Sequence, residues 1–317
     1  MKQNEFIRRY EPLWETFEKA LLIGDSDSLE DLPASYRTIC HHLSLAKLRN
    51  YSPGLQERLN QIALKGHQYL YAGNNDRATD LSKVFVRDFP RCVRQHKWYV
   101  LVSSLLFFGP LIVITLAVIN DPAFVYSIID PETAGTYTSM YSENHQENGR
   151  TAVDDVRMFG HYIWNNVSIA LRTFASGLLL GVGAIFIILF NGVYIGAVSG
   201  LIATSGYGET FWSFVIGHGS FELTAIVLAG ATGMKIGFAL LLPGRLTRGQ
   251  SIKQAALDIA PMIYGFVAML VIAAAIEAFW SPSATIPNNV KFIVGTLLWV
   301  FVIGYLTLVG RGGDDNT

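Results

Sequence analysis

The longest uncharged segment of the chain, residues 173–208, is 36 residues long. Charged groups are costly in the hydrocarbon core of a bilayer, so an uncharged segment of this length is typical of membrane-spanning structure. A single helix of that length would extend about 54 Å at a rise of about 1.5 Å per residue. Because the hydrocarbon core is only about 30 Å thick, the chain must turn within this segment, and Asn191-Gly192 is the predicted turn.

Charged residues are divided unevenly along the chain. Residues 1–97 hold 27 of them, whereas the 220 residues from 98 to 317 hold 22. Soluble domains carry about 25% charged residues, so only the first segment has a soluble composition. The pattern excludes a disordered chain, a disulfide scaffold and a single soluble enzyme domain. A net charge of −1 gives no indication of nucleic-acid binding.

These observations predict an all-α, polytopic membrane protein with a small cytoplasmic helical bundle. Residues 1–97 are predicted to form a cytoplasmic domain of about four helices, 98–311 the transmembrane domain, and 312–317 a cytoplasmic tail. About six spans are predicted, at 98–120, 163–190, 192–204, 210–242, 259–276 and 292–310. The short segment 192–204 leaves a re-entrant alternative open.

The distribution of basic residues predicts the orientation of these spans. Arg91, Arg94 and Lys97 precede the first span, and the loop after Pro243 is also basic. The predicted loop 121–160 instead holds seven acidic residues against two arginines. By the positive-inside rule the loop 121–160 is extracytoplasmic, and both termini are cytoplasmic. No signal peptide is predicted, because residues 1–22 form a charged amphipathic stretch.

Glycines recur at four-residue spacing in the predicted spans. Small residues at this spacing allow helix backbones to approach closely in lipid. The predicted helix-packing positions are Gly177, Gly181, Gly196, Gly200, Gly233 and Gly237, with Gly192 in register with Gly196.

The pair His218 and Glu222 is the strongest candidate for a functional site. The two residues are four apart within a predicted span, so they share one helix face. Ionisable groups inside a membrane usually face a partner or a water-filled cavity. The open alternatives are a proton or ion relay, a metal site, a polar gate and a structural clamp. A zinc enzyme would need a third ligand from a distant carboxylate such as Asp258 or Glu277.

No catalytic residue, metal or cofactor is predicted, and a non-enzymatic role is favoured. The remaining intramembrane polar groups are interpreted as structural. They cap helices, satisfy backbone groups at turns, or extend towards the bilayer surface. These supporting residues are Asn165, Asn166, Arg172, Asn191, Gly192, Ser220, Lys235 and Glu277.

The sequence resembles the stage II sporulation protein M family of bacterial integral membrane proteins. The resemblance is strongest at His218-Gly219-Ser220-Phe221-Glu222-Leu223, where Gly217 replaces the proline usual in the family. Further matching positions are Asn165-Asn166, Asn191-Gly192, Gly196, Ala225, Ala229-Gly230 and Gly237. Upstream positions resemble the cytoplasmic extension of longer members: Leu32-Pro33, Tyr36-Arg37, Leu59-Asn60, His67, Tyr71 and Phe89-Pro90-Arg91.

The resemblance implies a multi-pass protein of the bacterial cytoplasmic membrane. It suggests a scaffold that recruits partners in an envelope-associated or peptidoglycan-remodelling assembly. A transporter or channel that uses His218 and Glu222 is the first alternative, and an intramembrane metalloenzyme is the second. The expected partners are the lipid bilayer, envelope proteins and a second copy of the chain in a dimer, with no nucleic acid.

Overall fold

The structure is a computed structural model that describes residues 2–23, 32–71, 81–140 and 152–311. The chain divides into two compact units, Met1–Asp80 and Leu81–Thr317. All regular elements in the described ranges are helical, which confirms the all-α prediction. Residues 81–97 were assigned to the N-terminal domain from the sequence, but they pack within the second unit.

The first unit contains three described helices, α1 (Gln3–Ile23), α2 (Leu32–Leu48) and α3 (Pro53–Tyr71). Its core forms where one apolar stripe of each helix meets the other two. The stripe of α1 contributes three buried aromatic side chains, Phe6, Trp14 and Phe17. The prediction of about four helices before residue 98 therefore needs correction, because the fourth helical segment belongs to the second unit.

A buried hydrogen bond joins α1 and α2. The indole Nε1 of Trp14 donates to Nδ1 of His42 over 3.1 Å. Burial lowers the pKa of His42, and the neighbouring His41 lowers it further. The imidazole is therefore held neutral, which is the form that accepts this hydrogen bond.

The described part of the second unit begins with short elements and includes six long helices. The short elements are α4 (Leu81–Lys83), a π-helical turn (Val84–Asp88) and α5 (Phe89–Gln95). The long helices are α6 (Lys97–Asn120), α8 (Ala152–Ser176), α9 (Val182–Thr204), α10 (Gly208–Leu241), α11 (Arg248–Ala275, extended by a π-helical turn at Ile276–Trp280) and α12 (Asn288–Leu308). All of these except α8 are long and apolar enough to cross a membrane by composition alone.

The turn within the uncharged segment 173–208 differs from the prediction. The chain turns between α8 and α9, where Leu180 and Gly181 have positive φ angles of 55° and 82°. Asn191 and Gly192 lie within α9, and Nδ2 of Asn191 donates to the carbonyl of Ile187. Because this side chain is satisfied inside the helix, it does not interrupt it. The predicted spans 163–190 and 192–204, and the re-entrant alternative, were therefore wrong.

Side-chain and backbone contacts determine the relative directions of the helices. Helices α6 and α9 run parallel, because Gly192 lies against Phe107 and Gly200 lies against Val118. Helices α9 and α10 run antiparallel. In that pair Ile188 contacts Gly230, and Ala184, nearer the start of α9, contacts Gly233.

The other long helices continue this alternation. Helices α10 and α11 are antiparallel, since Gly217 faces Trp280 while the hydroxyl of Ser251 donates to the carbonyl of Ala239. Helix α12 is parallel to α10, because Asn288 bonds to Glu209 and Gly295 lies against Ile216.

Helix α8 runs antiparallel to α11. The ring of Phe159 lies 5.5 Å from that of Phe279, and Phe174 packs on the cluster that contains Ile259. In the described part of the second unit, the six long helices thus alternate in direction along the chain. Helix α8 packs alongside the other long helices, although it is amphipathic and is not among the five helices that are apolar enough to cross a membrane.

Helix α10 is the central element of the second unit. It contacts α6, α8, α9, α11 and α12, and most of its length is buried. A Cβ atom added at Gly177 would overlap the carbonyl of Gly233, and one added at Gly237 would overlap the backbone of Gly181. Glycine is therefore required where α10 approaches the end of α8 and the turn to α9.

The predicted loop 121–160 is partly helical. A 3₁₀ helix (Pro122–Ser127) and α7 (Pro131–Met140) form a cap, and the end of the predicted loop belongs to α8. The cap buries Val125, Ile129 and Ala134 against α6 and α9. The hydroxyl groups of Tyr137 and Tyr194 lie 3.2 Å apart and join the cap to α9.

The glycine contacts predict a selective effect of added side chains. Gly233→Val should destabilise the second unit by about 1–3 kcal/mol, because the backbones must separate to accommodate the new side chain. Gly304→Val in α12 is the matched control, since nothing lies within 4 Å of the Cβ position at Gly304. Thermal unfolding in detergent measures both variants. An equal loss of melting temperature in the two would contradict the close approach at Gly233.

Candidate functional site

His218 and Glu222 lie one turn apart on the central helix α10. The His218 side chain is buried, with 5% of its surface exposed. Its Nε2 atom lies 3.9 Å from Oε2 of Glu222. This distance is longer than a hydrogen bond. The two groups therefore face each other across a gap and do not bond directly.

Glu277 is a third member of the same cluster. It lies in the π-helical turn that ends α11, and the antiparallel packing of α11 on α10 brings it to the pair. Single atoms of His218, Glu222 and Glu277 that could ligate a metal all lie within 4.8 Å of one another. We call these three residues the His–Glu–Glu cluster. Turns of this kind within helices often occur at functional sites.

The other distant carboxylate considered from the sequence lies elsewhere. Asp258 is near the opposite end of α11, where its backbone carbonyl accepts a hydrogen bond from Sγ of Cys92 over 3.3 Å. From the sequence, Asp258 and Glu277 are equal candidates for a third ligand. Only the packing of α11 on α10 distinguishes them.

Two further residues support the cluster and were not predicted from the sequence. Nδ1 of His218 lies 3.3 Å from the hydroxyl of Ser281. The backbone carbonyl of Ser281 accepts a hydrogen bond of 2.8 Å from the ammonium group of Lys291, and both side chains are buried. The sequence does mark Lys291 as unusual, because it is the one charged residue between Ala278 and Gly310.

Aromatic rings enclose the cluster. The ring of Phe214 lies 5.2 Å from that of His218 in an edge-on arrangement. On the adjacent face of α10, a Cβ at Gly217 would lie 2.7 Å from the indole of Trp280. The glycine that departs from the family pattern at this position therefore gives room to a ring from the α11 turn.

The other predicted polar residues make contacts outside this cluster. Asn165 donates to Oδ1 of the buried Asn166 over 3.0 Å. The ammonium of Lys235 lies 5.8 Å from the ring centre of Tyr99. The hydroxyl of Ser220 donates to the carbonyl of Gly217 within the same helix turn.

A second polar feature lies on the outer face of α8. Four exposed polar side chains follow one another at helical spacing, which places them on one face: Arg157, His161, Asn165 and Arg172. We call this set the α8 polar stripe. The opposite face buries Asn166, Ala170 and Thr173 against the bundle. An open groove of about 360 Å³ lies at one end of the stripe and is lined by Asp154, Arg157, Met158 and His161.

Comparison with known families decides the classification. The family described as stage II sporulation protein M matches residues 104–282, more than half of the chain. The chain belongs to this family. The matched region includes the His–Glu–Glu cluster and the α8 polar stripe, and it identifies an integral membrane protein. Residues 4–72 match a domain of unknown function (DUF8413), which spans α1 to α3. No curated protein and no solved structure gives a significant match.

The contact between Gly217 of α10 and the indole of Trp280 predicts that substitutions at these two positions affect stability interdependently. Gly217→Ala should lower the melting temperature, because its Cβ would press on the indole. Gly219→Ala is the matched control, since its Cβ would make only ordinary contacts, the nearest at 3.4 Å. Trp280→Leu should reduce the effect of Gly217→Ala in a double-mutant cycle. Additive effects of Gly217→Ala and Trp280→Leu would contradict the contact.

Proposed function

We propose that this member of the stage II sporulation protein M family is a multi-pass scaffold of the bacterial cytoplasmic membrane. In this proposal it recruits partner proteins to an envelope-associated, peptidoglycan-remodelling assembly. The observation that supports the role is the α8 polar stripe. It lies on the outside of a bundle whose other long helices expose mainly apolar side chains.

The position of the stripe explains why it needs a partner. Asn165 lies about 20 Å along α8 from its first residue, close to the middle of the helix. Amide and imidazole groups that face lipid at this depth are unfavourable. Arg172 is near the end of α8 and extends to the bilayer surface. His161 and Asn165 lack the length to do so.

The chemistry of the stripe indicates the kind of partner that fits. The guanidinium of Arg157, the imidazole of His161 and the amide of Asn165 each offer hydrogen-bond donors. A membrane helix that presents carboxylate, hydroxyl or carbonyl acceptors at matching spacing would satisfy them. Interhelical hydrogen bonds in membranes contribute about 0.6–2 kcal/mol each. We therefore propose a membrane helix of another envelope protein as the occupant, with a second copy of this chain as the competing outcome.

The proposed orientation places both termini in the cytoplasm. Six alternating helices return the chain to the side from which it started. The basic residues before α6 and between α10 and α11 assign that side to the cytoplasm by the positive-inside rule. The cap of residues 122–140 then lies outside the cytoplasm, where envelope partners are accessible.

Transport through the bundle remains the alternative function, supported by the buried His–Glu–Glu cluster. The broken helix expected at Asn191-Gly192 would have favoured transport, but α9 continues through Asn191 without a break. Transporter sites are often built from discontinuous helices near the middle of the membrane. In addition, backbone contacts at Gly177 and Gly233 close the space between α8 and α10.

Site-specific photocrosslinking tests the scaffold role. A photoreactive residue placed at His161 or Asn165 in native membranes should form adducts of discrete mass with protein. The same residue at Leu105 or Val300, which are exposed apolar positions on α6 and α12, is the matched control and should react mainly with lipid. His218→Ala should leave the adducts at the stripe unchanged, because the cluster is separate from it.

The outcomes of this experiment are distinct. Discrete adducts to a different protein support recruitment, and adducts of twice the chain mass indicate a second copy. Reaction with lipid alone at His161 and Asn165, as at the control positions, would contradict the proposed docking face.

A further inference from the structure

We infer that the His–Glu–Glu cluster binds one divalent transition-metal ion, and that Zn²⁺ is the ion its donor set fits. The ligands are Nε2 of His218 and one carboxylate oxygen each from Glu222 and Glu277. This site is independent of the docking role proposed for α8, since the two features share no residue.

The donor set distinguishes among metals. One imidazole nitrogen with two carboxylate oxygens suits zinc and similar ions, whereas Ca²⁺ and Mg²⁺ prefer oxygen ligands alone. No thiolate is among the three, which argues against an iron–sulfur centre. Three protein ligands leave a fourth position open, the arrangement found where zinc binds water or a substrate.

The distances in the cluster are compatible with an ion between the groups. Zinc bonds to nitrogen and oxygen at about 2.0–2.2 Å, so two ligands of a tetrahedral site lie about 3.4 Å apart. Nε2 of His218 and Oε2 of Glu222 are 3.9 Å apart, and the whole set lies within 4.8 Å. Rotation of the glutamate side chains into other staggered rotamers would bring the ligand atoms to the shorter separation of a tetrahedral site.

A second, independent feature is the partner of the other imidazole nitrogen. A histidine that ligates a metal almost always bonds through its other ring nitrogen to an outer group, which orients the ring. Here Nδ1 of His218 faces the hydroxyl of Ser281 at 3.3 Å, which leaves Nε2 facing the carboxylate of Glu222. Ser281 is itself held by the bond from Lys291 to its backbone carbonyl. This arrangement orients the imidazole as a ligand.

Charge balance favours the same conclusion. A divalent ion carries the charge that would balance two ionised carboxylates in the interior of a membrane bundle. A divalent ion neutralises both carboxylates and replaces the direct hydrogen bond that the distance between His218 and Glu222 excludes. A metal bound between them would therefore account for the 3.9 Å separation of His218 and Glu222.

Metal analysis of the full-length protein tests the site. The protein is purified in mild detergent, stripped with a chelator, reloaded with Zn²⁺, and separated from free metal. The wild type should retain about one zinc per chain. His218→Ala and Glu277→Gln should lose most of it, whereas the matched control Glu209→Gln, a carboxylate of the same helix outside the cluster, should retain it. Ser281→Ala should weaken zinc affinity about 10-fold or more, because it removes the outer partner of the ligand.

A spectroscopic readout keeps the test decisive if a variant fails to fold. X-ray absorption of the zinc-loaded wild type should show one imidazole with oxygen ligands and no sulfur, which also distinguishes the site from Cys92 and His96. Zinc retention by Glu277→Gln equal to the wild type, a sulfur ligand in the spectrum, or no bound metal after incubation with Zn²⁺ or Co²⁺ would each overturn the inference.

Discussion

The membrane unit depends on the close approach of the α10 backbone to its neighbours. Where Gly233 and Gly237 lie against Gly177 and Gly181, no side chain separates the backbones. In lipid, hydrophobic burial does not drive helices together, so dense packing of this kind and interhelical hydrogen bonds must hold the bundle. The same closeness gives α10 contacts with five other helices, which shields His218 from lipid on most sides.

Two groups of polar residues in this unit therefore have different physical roles. The His–Glu–Glu cluster lies inside the bundle, where helices from three parts of the chain surround it and a bound ion would balance its charge. The α8 polar stripe lies outside, where a membrane helix of another protein is the proposed partner for its groups. The separation explains how one family member could combine a metal site with a docking face, and why variants of one should not alter the other.

The sequence predicted the helical class and four of the five most apolar helices, and it singled out His218 and Glu222 as the candidate pair. It misplaced the turn, because an asparagine-glycine pair is typical of turns, whereas here the Asn191 side chain bonds to the carbonyl of Ile187 within α9. The true turn uses positive φ angles at Leu180 and Gly181, which local composition did not distinguish from a helix. Glu277 and Ser281 join the site through packing between residues about 60 positions apart, for which a single sequence has no signal.

The central claim is that α8 crosses the membrane although it is amphipathic, since its polar stripe needs a protein partner only in that case. Cysteine accessibility in intact cells tests this directly, using Val156→Cys near the start of α8 and Leu179→Cys in the turn after it. Cys40 and Cys92 are replaced beforehand to remove the native thiols. The account predicts that a membrane-impermeant maleimide labels position 156 from outside, and labels position 179 only after permeabilisation. Labelling of both positions from the same side would contradict it.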